Sequence, residues 1–192
     1  MIKIGITGSL ASGKTTASKI LSYRRGPLFS ADKTVKKLYK NKSFKSLIGR
    51  RFKIKNRNQI KKSLKNIILR DKNNIKKLEK IIHPLVRKKM RNFTSQNKDK
   101  RLLFYEIPLL IESRLMKYFN LIIFIKAKKH LRLKRFQAKS GDEKLFNLLN
   151  NKQLKDIKKI KFCDHVVVNE KNLNILKKNL YDIIKKYEWS FL

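Results

Sequence analysis

Ile2, Ile4 and Ile6 alternate with Lys3 and Gly5 at the start of the chain, the pattern of a short buried strand. A glycine-bearing loop follows at once, and then an Ala/Ser/Lys/Leu segment of helical character, so the chain opens as a strand, loop, helix unit. Pro27, Leu28 and Phe29 begin a second short strand that ends near Ser30 and Asp32, and Thr34–Tyr39 reads as a helix. From about Phe44 to Phe93 the apolar residues fall at helical spacing, first Ile60, Leu64, Ile67 and Ile68, then Ile75, Leu78, Ile81, Ile82 and Leu85. Two or three helices are expected there, with Pro84 at a kink or in a first turn.

Leu102 to Tyr105, inside Arg101–Ile107, is a continuous apolar run of the length expected for a strand covered on both faces. Leu121–Ile125 and His165–Val168 are two more such runs. Helices are expected between and after them, at Leu109–Tyr118, His130–Ala138, Asp142–Lys161 and Asn172–Tyr187. Strands alternating with helices over the whole length predict an α/β fold with a parallel sheet covered on both sides. The sequence shows no internal repeat and no linker-like stretch, so one domain is expected. Gly141, the sole glycine of the second half, marks the loop expected to move most.

No segment reaches the roughly 18 uninterrupted apolar residues of a membrane span, and Met1–Thr7 does not read as a signal peptide. The lone Cys163 cannot form an internal disulfide, and His83, His130 and His165 are too scattered for a zinc site. A soluble cytoplasmic protein is the expectation. The net charge of +38 raises the question of nucleic acid, since a dense basic surface gains free energy by releasing counterions. Lysine and asparagine are spread through segments such as 53–65 and 171–178 without interleaved aromatics. That spread predicts solvated helix faces and no specific nucleic-acid partner, though it attracts anionic substrates.

Gly8-Ser9-Leu10-Ala11-Ser12-Gly13-Lys14-Thr15 fits Gly-x4-Gly-Lys-Ser/Thr and stands between a predicted strand and a predicted helix, the context a phosphate-binding loop requires. Gly8 and Gly13 allow the backbone to turn its N–H groups toward phosphate oxygens, and the helix near Lys14 adds its positive end. Lys14 supplies charge to the β and γ phosphates of ATP, and the Thr15 hydroxyl can ligate Mg2+. Asp32 comes at the end of the next strand, which in a parallel sheet brings it to the edge where ligands bind. Its carboxylate suits either a base that accepts a substrate hydroxyl proton or the N-cap of the helix that follows.

These residues, with Ser30-Ala31-Asp32, His83-Pro84, Pro108-Leu109-Leu110 and Glu112, Leu133-Lys134-Arg135, Gln153, Asp164 and Asn169, resemble the ordered motifs of the dephospho-CoA kinase family from Ile4 to about Asn169. The resemblance implies transfer of the ATP γ-phosphate to the ribose 3′-hydroxyl of dephospho-CoA; a monomer is the expectation. It implies a three-layer P-loop kinase fold over 1–192, with a core at about 1–40 and 100–192, a helical acceptor-side region at about 41–99 and a lid at about 135–153. Nucleotide binding falls to Gly8, Leu10, Ala11, Ser12, Gly13, Lys14, Thr15, Thr16, Arg135, Lys139 and Asn169. Acceptor binding falls to Asp32, His83, Pro84, Leu109 and Glu112, with Asp32 and Lys14 catalytic. Thr15 and Glu106 match the metal side; Glu106 could hold a magnesium-bound water or be a solvated strand-end acid. Ser30, Lys139 and Lys61 depart from the family pattern, standing where Asp, a second lid arginine and an acceptor-side arginine are usual. A nucleoside or nucleoside-monophosphate kinase shares the loop and lid, and a P-loop regulator shares the loop, but no guanine-reading Asn-Lys-x-Asp segment is present.

Overall fold

Strand β1 (Ile2–Gly8) has six of its seven residues buried, because it lies at the centre of a parallel sheet. In the computed structural model, which describes residues 1–71 and 73–189, β1 pairs with β3 (Leu102–Glu106) on one side and β4 (Leu121–Lys126) on the other. Strands β2 (Leu28–Ser30) and β5 (His165–Val168) extend the sheet outward, giving the order β2-β3-β1-β4-β5 with every pairing parallel. The apolar runs of β3 and β4 are what a strand covered on both faces requires. The expected parallel α/β sheet flanked by helices is the observed architecture.

One face of the sheet carries the main core: Ile4, Ile6, Phe104, Ile123 and Ile125 meet Ala17 and Leu21 of α1 (Lys14–Ser22) and Leu176, Leu180 and Ile184 of α9 (Leu173–Trp189). The spacing of these helical residues, four apart, sets one apolar stripe against the strands. On Gly5 a β-carbon would run into Leu110 and Phe119, so this glycine admits the segment after β3 onto the sheet. Phe119 there packs edge-on against Tyr105 at 5.3 Å between ring centroids.

The chain divides into two compact units, one of Met1–Ser30 with Gln96 onward and one of Ala31–Ser95. The second unit is helical: α2 (Ala31–Leu38), α3 (Lys42–Arg51), α4 (Ile60–Arg70) and most of α5 (Asn73–Gln96). Phe44, Ile48, Ile54, Ile60 and Leu64 form its core, with Leu78, Ile81, Ile82 and Leu85 of α5 packed against them. The side chain of Asn41 caps α3 by accepting the Phe44 N–H. Lys61 sets its ammonium over the Tyr39 ring, 5.4 Å from the centroid.

Several elements differ from the pattern-based expectation. The segment Leu109–Tyr118 is not an α-helix but a run of turns ending in a 3-10 turn at Met116–Tyr118. Arg114 adopts a left-handed φ of 54°, and the Leu115 N–H reaches back to the Leu110 carbonyl instead of continuing a helical ladder. The expected helix Asp142–Lys161 is two helices, α7 (Glu143–Lys152) and α8 (Asp156–Ile160), separated by residues 153–155. Helix α2 begins at Ala31, so Asp32 lies within its first turn and is not its N-cap. Of the two places expected for Pro84, a first turn is excluded: it lies inside α5, the position of a kink, where it has no N–H to offer the Lys80 carbonyl. Among the described residues no helix is long and apolar enough to cross a membrane.

Candidate active site

Every strand of a parallel sheet delivers its following loop to one edge, and ligands bind outside that edge. Here the carboxyl ends of β1, β2 and β3 are aligned by register, with Ile6 opposite Glu106 and Glu106 opposite Ser30. The loop after β1 closes into the helix α1 through two left-handed positions, Ala11 at φ 58° and Gly13 at φ 98°, after Gly8 at φ 149°. A β-carbon on Gly8 would strike the Ile125 carbonyl, and one on Gly13 would strike the Asn169 amide. Both glycines are therefore required by close approach as well as by φ. Gly13 caps α1 with no side-chain hydrogen bond, so the positive end of the helix opens into the loop.

The loop residues sit in a dense polar frame. Lys14 is buried and its Nζ donates to the Ser9 carbonyl at 2.8 Å. Asn169, just past β5, donates from Nδ2 to the Ser12 carbonyl at 2.9 Å. Arg135 on α6 (Lys129–Gln137) donates to the Asn169 carbonyl at 3.0 Å and to the Ser12 carbonyl at 3.4 Å. The Ser12 hydroxyl is buried with no hydrogen-bond partner, an orphaned donor inside the anion cradle. Thr15 and Thr16 are exposed on the first turn of α1. The Thr15 hydroxyl donates to Glu106 Oε1 at 2.5 Å, while Glu106 itself is buried at the end of β3. Glu106 is thus a buried acid held on the loop and not a solvated strand-end residue. Two hard oxygen donors side by side fit Mg2+, which takes few protein ligands and keeps waters and phosphate oxygens for the rest. A protein cluster of three or more His, Cys, Asp or Glu is absent among the described residues.

Four residues given no role by the sequence complete the frame. Arg132, nine-tenths buried, donates to the carbonyls of Ala127 and Leu10 and to Asn150 Oδ1, and its guanidinium lies over the Phe146 ring. Gln153 Oε1 accepts the Leu10 N–H at 3.2 Å. Asp156 accepts the Ser9 hydroxyl, and fully buried Lys159 pairs with Glu112 at 2.7 Å. Asp156 carried one faint signal, being the sole acid between Lys152 and Lys161; Lys159 carried none among its lysine neighbours. Lys139 is exposed past the end of α6, and no ion pair or side-chain hydrogen bond joins it to the loop among the described residues. The turn it belongs to is a Schellman closure, with the Gly141 N–H on the Phe136 carbonyl and Ser140, not Gly141, at the left-handed position.

Leu109 is half-buried and its carbonyl accepts the Ser113 N–H. Glu112 uses Oε1 for Lys159 and for the Leu154 N–H at 3.2 Å, while its Oε2 is buried without a partner. In the helical unit, Asp32 occupies the first turn of α2. His83 and Pro84 line a groove of about 450 Å³ on α5 together with Lys80, Arg87 and Arg91. Burial holds the His83 imidazole below its ordinary pKa of 6.5; Glu79 opposes this and Arg87 adds to it. Lys80, Arg87 and Arg91 give this groove a positive lining, which attracts anions.

The family model described as dephospho-CoA kinase matches residues 2–174. A protein of Bartonella quintana named dephospho-CoA kinase is 34% identical over 187 residues, covering 95% of this chain and 96% of its own length. A solved structure from Thermus thermophilus is similar at a TM-score of 0.78 and 26% identity, over 96% of this chain and 97% of that one. The dephospho-CoA kinase of Campylobacter jejuni superposes at a TM-score of 0.65 with 25% identity, over 96% of each chain.

Proposed function

The chain belongs to the dephospho-CoA kinase family and uses ATP to phosphorylate dephospho-CoA to coenzyme A, and from that premise we propose how its residues divide the work. The loop from Gly8 to Thr16, including Leu10, Ala11, Ser12 and Gly13, holds the triphosphate, with Arg135, Lys139 and Asn169 on its lid side. The Lys14 ammonium passes from the Ser9 carbonyl to the β and γ phosphates. Asp32, two residues past Ser30, accepts the proton of the ribose 3′-hydroxyl as that oxygen bonds to the γ phosphorus and the bond to the β,γ-bridging oxygen breaks. Thr15 and Glu106 hold Mg2+, which when bound neutralises charge on the phosphates.

Acceptor binding is assigned to His83 and Pro84, which line the basic groove on α5, and to Leu109 and Glu112, whose Oε2 is buried without a partner. The basic groove suits the diphosphate that dephospho-CoA carries. The chain works as one P-loop kinase domain, a monomer in the cytoplasm, with the helical unit on the acceptor side and about 135–153 as the lid. The observation that carries this reading is the loop itself, with two glycines locked by close approach, a buried lysine and an orphaned hydroxyl in one cradle.

Steady-state assay of Asp32→Asn with ATP and dephospho-CoA tests the assignment of the base. Turnover should fall on the order of 10²- to 10⁴-fold with the KM for ATP changed by less than about threefold. A folded variant with near-normal turnover removes Asp32 from that role.

A further inference from the structure

We infer that Lys159 is a positioning residue for the phosphate-binding loop: through Gln153 it fixes the Leu10 peptide, and through Glu112 it ties that loop to the segment after β3. This rests on the reading of residues 8–16 as the ATP site.

Lys159 is fully buried although the mechanism leaves it no chemistry. Removing an ammonium from water costs several kcal/mol or more, and one carboxylate repays this only when further hydrogen bonds complete the shell. Lys159 has both. Its Nζ lies 2.7 Å from Glu112 Oε1 and donates to Gln153 Oε1 at 3.2 Å. The same Gln153 oxygen accepts the Leu10 N–H, and Arg132 holds the Leu10 carbonyl at 3.3 Å. Both backbone polar groups of Leu10, its N–H and its carbonyl, are therefore held by side chains from α6 and from the break between α7 and α8. Asp156 holds the adjacent Ser9 hydroxyl.

The break between α7 and α8 makes this possible. Residues 153–155 leave the helical path, which turns Gln153 toward the loop and brings the Leu154 N–H onto Glu112. An unbroken helix would place residues 153 and 159 on different faces, since six positions at 100° each leave them about 120° apart. The resulting chain of contacts runs Glu112, Lys159, Gln153, Leu10, from the loop that follows β3 to the cradle. Leu10 itself precedes the left-handed Ala11, so its orientation sets that of the N–H groups that follow.

Gln153→Leu cuts the link to Leu10 while leaving the ion pair of Lys159 in place, and Lys159→Met removes the hub. Both are assayed beside the wild type and Lys14→Ala, with KM for ATP, KM for dephospho-CoA, kcat and thermal unfolding measured for each. Gln153→Leu should raise the KM for ATP about tenfold, with the KM for dephospho-CoA changed less than about twofold and unfolding close to wild type. Lys159→Met should show the same rise in a less stable protein, or fail to fold, in which case Gln153→Leu decides. Unchanged ATP kinetics in folded Gln153→Leu overturns the inference. If Lys14→Ala also keeps normal ATP kinetics, the assignment of the ATP site falls with it; if Lys14→Ala loses them, only the positioning role falls.

Discussion

Asn169 occupies the space that a β-carbon on Gly13 would need, and from there its Nδ2 donates to the Ser12 carbonyl at 2.9 Å. Two residues 156 positions apart thus share one small volume beside the anion cradle. Glycine at 13 is required both by its φ of 98° and by this neighbour, which is itself held by Arg135.

Gly13→Ala should therefore fold, since the strain is confined to one loop, but bind ATP poorly. A non-glycine residue held at such a φ costs about 1–3 kcal/mol, and displacing Asn169 adds to this, so the KM for ATP should rise roughly 10- to 100-fold. Enzyme kinetics paired with thermal unfolding checks it; a normal KM would show that Asn169 gives way freely.

His83 should titrate below 6.5, because burial disfavours its charged form. The sign for stability follows: the unfolded chain binds the proton more readily, so stability is greatest above about pH 6.5 and declines as pH falls through the window below it. An NMR titration of the imidazole measures the midpoint directly. A midpoint above 6.5 would mean that Glu79 outweighs burial and Arg87.

Cys163 should be inert in the native protein. Burial first, and Asp164 second, push its thiol up to about 12, against a smaller opposing pull from Lys159. At pH 8 the thiolate fraction then falls about 10³-fold below that of an exposed cysteine. Alkylation by iodoacetamide should be slow in buffer and prompt in denaturant; equal rates would contradict the burial.

Ser140→Gly should stabilise the protein. Ser140 holds the left-handed position of the turn that ends α6, at φ 61°, where glycine escapes a penalty of about 1 kcal/mol. Thermal unfolding should rise by a few degrees, and a decrease would mean that the Ser140 side chain contributes something its backbone conformation does not reveal.

The strands and the loop were legible because their signals are local. Ile2, Ile4 and Ile6, the run Leu102 to Tyr105 and the spacing from Gly8 to Thr15 each encode structure within a few residues, through burial on both faces and through the backbone freedom of glycine. The turns at Leu109–Tyr118 misled because apolar residues needed on the sheet face, Leu110 over Gly5 among them, mimic helical spacing. The break after Lys152 was missed because no glycine or proline marks it. What holds it open is a set of side-chain bonds from Gln153, Lys159 and Glu112.

By itself the sequence determined the parallel α/β class, the phosphate loop and the family, since periodicity and close-spaced motifs carry their own meaning along the chain. Tertiary structure alone decided which lysine beyond Lys14 is buried, which acid meets Thr15 and which amide closes on Gly13. Those choices rest on distances between residues far apart in sequence, and a cation's desolvation and its partner exist only once the fold has brought the two together.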